Sequence, residues 1–110
     1  MIQAAGSVIV APNVLIRLVD LAIREVPGIA RLGSIPRGRP SFGGAGNGVA
    51  LRLGADGVSA DCYLVARPDT NLLELGIAVQ ATVAAVIQDL AGMAVREVNV
   101  YIQDVEASSG

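Results

Sequence analysis

The spacing of the apolar residues changes period along the chain, and that change limits the fold more than any other feature. In "VALRL", "VSADCYLVA" and "VREVNVYIQDV" apolar and other side chains alternate with a period of two, as strands require. In residues 12–26 and 71–92 they recur every three or four positions, as on one side of a helix. Val98, Val100 and Ile102 therefore share one face of a strand, and Glu97, Asn99, Tyr101 and Gln103 the other, which reads as a solvated sheet face. Sheets with one oily face need a cover, and two helices provide it.

The boundaries follow from local chemistry. "GSVIVA" at residues 6–11 reads as a short strand, and Pro12 then starts a helix where its missing N–H costs nothing. Pro27 and Gly28 end that helix near Val26. "IARLGSI" adds a short strand, and "GADG" joins two longer ones as a hairpin. Asn71 caps the second helix with Glu74 three residues on, and Gly92 ends it. Leu72, Leu75, Val79, Val83, Val86 and Leu90 form its core stripe. In the hairpin Val49, Leu51 and Leu53 face the core with Ala60, Cys62 and Leu64, leaving Arg52, Asp61 and Tyr63 outward. The expected fold is α+β: a two-layer sandwich with a mostly antiparallel sheet of four to five strands and two helices on one face, in the order β-α-(β)-β-β-α-β.

A chain of 110 residues is one domain in size, long enough to remove roughly two-thirds of its unfolded surface from water. The expectation is a single domain over 1–110 with a flexible Gly/Pro/Arg loop at 33–48. Apolar residues make up 53% of the chain and aromatics only 3%, so the core is aliphatic, with apolar surface left over for a partner. Apolar stretches break before the roughly 20 residues that cross a bilayer, and "MIQAAG" lacks a secretory start. A cytoplasmic location without a transmembrane segment is therefore expected. Cys62, the single cysteine, excludes an internal disulfide framework and reads as core.

With no histidine, Ser-His-Asp and Cys-His catalysis are excluded, and the commonest metal ligand is missing. Asp56, Asp104 and Glu106 have turn or terminal positions, so no catalytic residue, cofactor site or metal site is expected. The segment "GGAGNG" fits neither a P-loop nor a dinucleotide fingerprint. A net charge of −2 argues against a protein that coats nucleic acid.

Two surfaces remain as candidates. Surplus apolar residues on the helices, namely Ile16, Val19 and Ile23 on the first with Ile77 and Ala81 on the second, form the expected partner interface, most simply with another copy of the chain. Arg31, Arg37, Arg39 and Phe42 form an anion or lipid contact in the second reading, a ligand- or nucleic-acid-binding module with Arg52, Tyr63, Asn99 and Tyr101 as its floor.

The pieces "GSVIVAPNVLIRLVDLAIREVPGI", "VSADCYLVA", "NLLELGIAVQATVAAVIQDLAGM" with its Gln80-x-x-Val83 step, and "VREVNVYIQDV" cover most of residues 6–105. In this order they resemble the bacterial alkaline-shock, or envelope stress response, family. The chain departs from it in having no lysine and in "ARPDTN" ahead of the second helix. The resemblance implies a small non-enzymatic stress-response protein of the cell envelope. It also implies self-association, or gathering beneath the membrane through a membrane-anchored partner.

Overall fold

The computed structural model describes residues 4–37 and 48–107. Its elements are α1 (Pro12–Arg24), β1 (Ile29–Leu32), β2 (Val49–Gly54), β3 (Gly57–Ala66), α2 (Leu72–Ala85), a π-helical turn (Val86–Leu90) and β4 (Val95–Val105). The class is α+β, as the apolar periods require. The leading strand differs: residues 6–11 form no strand, and Val8 and Ile9 stand in solvent. A strand forms only where a partner edge receives it, and among the described residues this segment has none.

β3 is the spine of the sheet, buried from Val58 to Ala66. β1 and β2 both lie antiparallel along one side of it, end to end, with Leu32 opposite Leu64 and Val49 opposite Cys62. β4 runs parallel to β3 on the other side, pairing Cys62 with Val100 and Tyr63 with Tyr101. The sheet is therefore mostly antiparallel with one parallel pairing, and its four strands make three columns.

Tyr63 marks the gap between β1 and β2. Its carbonyl accepts from the Gly33 N–H at 2.6 Å and its N–H donates to the Gly48 carbonyl at 2.7 Å. A Cβ on Gly48 would press into the Tyr63 carbonyl oxygen, well inside contact distance; only glycine lets the chain leave and rejoin the edge so closely. At the other end of the edge, Ala55 and Asp56 close a two-residue hairpin between the paired Gly54 and Gly57.

Both helices cover the sheet face formed by Val58, Ala60, Cys62, Leu64 and Ala66. Leu15, Ile16, Val19 and Ile23 of α1 and Leu75, Val79 and Val83 of α2 complete that core. Leu53, expected in the core, is half exposed at the hairpin end. The π turn widens the last turn of the second helix, with Ala91 N–H donating to the Val86 carbonyl five residues back. In this turn Ile87, four residues after Val83, is fully buried, whereas Leu90, expected in the core stripe, is 65% exposed at the end of the helix.

Candidate functional site

The side chain of Asn71 accepts the Glu74 N–H at 3.0 Å and so sets the start of α2. From there one stripe of the helix is consumed by the core, and the remainder is nearly uncharged. Leu73 is 74% exposed and Ile77 55% exposed, with Ala81 also exposed beside them. Leu72–Leu90 is long and apolar enough to cross a membrane by length and composition. The buried Leu75, Val79, Val83, Val86 and Ile87 tie it into the domain core.

Between α2 and β4 lies a groove of about 240 Å³, lined by Leu72, Leu73, Gly76, Ile77, Gln80, Val100 and Ile102. The Gln80 side chain donates to the Val98 carbonyl at 3.2 Å, tying the helix to the strand at one end. Val98, Val100 and Ile102 are only partly buried under α2, because β4 is an outer strand and the helix does not extend fully over it. The exposed side of α2 and this groove share Leu72, Leu73 and Ile77, so the two form one uncharged surface suited to burial against a partner.

On the far side of the sheet, the expected wet row is occupied by its own neighbours. Asp61 is 1% exposed, and its carboxylate accepts from Arg52 and, at 3.0 Å, from the Asn99 amide. Arg52 also reaches Glu97 at 3.4 Å. The bond to Asp61 lifts the Arg52 pKa above its ordinary value, with burial opposing. Tyr63 and Tyr101 stack with centroids 4.8 Å apart. Asp61 and Tyr63 thus point outward as the alternation requires, yet both are buried. Cross-strand partners on the flat face bury them.

The structure divides the sequence-derived interface residues. Ile77 and Ala81 lie on the exposed surface, whereas Ile16, Val19 and Ile23 are buried between α1 and the sheet, which removes them from any interface. The apolar arc of α1 is wide, and its inward half holds these three residues, leaving Val14 and Leu21 outside. Arg31 is exposed and lies 3.8 Å from Glu106, a solvated pair worth little. Arg37 is exposed, and Arg39 and Phe42 lie outside the described residues. Among the described residues, no three His, Cys, Asp or Glu side chains converge as a metal site.

Sequence reasoning missed Leu73, Leu90 and the groove itself. Leu72, expected in the core stripe, is 41% exposed and lines the groove with Leu73, because the first turn of α2 extends past the buried core.

The chain matches the model of the alkaline shock protein 23 family, described as having a cell envelope-related function, over residues 1–107. It is 27% identical over 105 residues to the uncharacterized protein YqhY of Bacillus subtilis (strain 168), covering 92% of this chain and 78% of YqhY. Among solved structures, a single-site variant of the MamM CTD superimposes with a TM-score of 0.62 at 17% identity, covering 87% of this chain and all of that one. The copper form of the MamM CTD gives 0.59 at 17% identity, covering 87% and 88%. Identities this low show a shared fold alone.

Proposed function

The chain belongs to the alkaline shock protein 23 family, whose function is cell envelope-related, and on that premise we propose that it is a non-enzymatic component of envelope stress response and homeostasis. It works by associating with itself and with protein partners at the cytoplasmic side of the membrane. The observation that carries this reading is the nearly uncharged outer side of α2, where Leu73 and Ile77 stand exposed beside the α2–β4 groove. Exposing a surface of this kind to water is unfavourable, and burial against a second surface lowers the free energy by about 25 cal/mol per Å².

The ligand-binding reading draws less support. Arg52, the central cation of its floor, is already engaged by Asp61 and Glu97, and Tyr63 is buried under its stack.

Light scattering over a concentration range, combined with a crosslinked pull-down from cells under envelope stress, tests the proposal. Self-association or a captured envelope partner is expected. A strict monomer that captures nothing would remove the basis of the reading.

A further inference from the structure

The segment from Ser7 to Ala11 has the composition of a strand and no partner strand among the described residues. Val8 is 94% exposed and Ile9 87% exposed, and residues 4–11 pair with no strand among the described residues. Three β-branched residues in a row favour a pleated, half-buried setting, so an exposed run of this kind is an unmet requirement of the sequence.

A matching vacancy lies at the other side of the sheet. β4 is eleven residues long and, among the described residues, pairs only with β3, so its outer edge is open. Natural edges are usually blunted by charge or proline. Here Arg96 and Glu97 stand before the central stretch and Asp104 after it, while Val98–Gln103 carries no charged residue and no proline. The groove lined by Leu72, Ile77, Val100 and Ile102 runs beside this same stretch.

We infer that Ser7–Ala11 of one copy adds as a fifth strand to the open edge of β4 in a second copy, with Val8 and Val10 lying in the α2–β4 groove. The two surfaces match in polarity, since the first charged residue of the chain is Arg17 and none of the groove residues is charged. They also match in spacing, because Val8 and Val10 repeat the two-residue interval of Val100 and Ile102. Strand addition of this type draws affinity from main-chain hydrogen bonds and specificity from pockets for alternate side chains.

Geometry favours a second copy over the chain's own edge. α1 follows the segment directly and packs against α2, β1, β2 and the π turn, and β1 and β2 lie on the opposite side of β3 from β4. The segment therefore leads into a helix whose sheet contacts are with β1 and β2, the strands farthest from the open edge of β4. Two copies related by a two-fold axis exchange segments reciprocally, each edge filled by the other's strand.

The inference rests on the self-association proposed above, and the experiment separates the two. A spin label is attached to Ser7→Cys in the full chain, which is then mixed with unlabelled parent chain carrying ¹⁵N. Cys62 is fully buried and its thiol is pushed up to about 12, so the reagent goes to residue 7. Amide signals of Val98–Gln103 and Leu72–Gln80 in the ¹⁵N copy should be lost, and Val8→Asp in the spin-labelled copy should restore them. If the chains associate but the losses fall elsewhere, or arise only when label and ¹⁵N share one chain, strand exchange is overturned and self-association stands. If sedimentation of the same mixture gives only monomer, self-association itself fails and the inference with it.

Discussion

Gln103 exchanges two hydrogen bonds with the backbone of Ser34: its amide oxygen accepts the Ser34 N–H at 2.9 Å, and its amide nitrogen donates to the Ser34 carbonyl at 2.8 Å. The two residues are 69 positions apart, Ser34 just past the end of β1 and Gln103 in β4, with β3 between those strands. Gln103 is able to reach across because β4 carries a bulge there, its register passing from Ile102 opposite Leu64 to Asp104 opposite Val65. Bulges re-aim side chains in this way. Gln103→Ala should speed amide exchange at Ser34 and lower stability by about 0.5–1.5 kcal/mol, the usual net worth of such bonds. Unchanged exchange at Ser34 would mean that the pair does not hold the end of β1.

Two glycines should respond in opposite directions to the same substitution. A methyl group on Gly48 collides with the Tyr63 carbonyl oxygen, whereas one on Gly76 meets nothing within 4 Å. Gly48→Ala should therefore destabilise by about 1–3 kcal/mol, as overpacking does. Gly76→Ala lies in a helix interior and should stabilise by about 0.5–1 kcal/mol. Urea denaturation of the two variants checks both signs.

Exposure on the two helices separates core from surface. Ile23→Ala removes a fully buried side chain and should cost about 2–5 kcal/mol. Ile77→Asp places charge on an exposed position and should alter monomer stability by no more than about 0.5 kcal/mol. Thermal denaturation at low protein concentration is the measurement.

Alkaline pH should weaken the fold through Cys62. Burial, reinforced by the Asp61 charge, raises this thiol from 9.0 to about 12. Below pH 9 both folded and unfolded chains hold the proton and stability is full. Above it the unfolded thiol ionises first, so stability falls as pH rises toward 12, by at most about 1.4 kcal/mol per pH unit. Comparing denaturation of the parent with Cys62→Ala over that range should show the steeper decline in the parent.

Much of the architecture was legible because it follows from short-range chemistry. Pro12 opens α1, Asn71 caps α2, and the alternation assigns the side chains of residues 58–64 to their faces, and those of residues 97–102 between the two bulges of β4. What escaped depends on neighbours distant in sequence. Alternation sets the direction of Asp61 and Tyr63 but not the partners that bury them, which come from β2 and β4. The wide apolar arc of α1 does not reveal which half meets the sheet, so Ile16, Val19 and Ile23 read as available when they are core. Helical spacing placed Leu72 and Leu90 in the core stripe of the second helix, yet both are exposed at its two ends, because spacing does not tell how far the core extends along a helix. "GSVIVA" carried a strand's composition, and composition alone supplies no partner.

The central claim is that the outer side of α2 and the adjoining groove drive self-association. Sedimentation equilibrium of the full chain and of Ile77→Asp tests it most directly. The parent should show a mass rising with concentration above the 11.2 kDa of one chain, and Ile77→Asp should remain near that mass while staying folded. A parent that stays at one chain's mass throughout the range, or a variant that associates as strongly as the parent, would contradict the account.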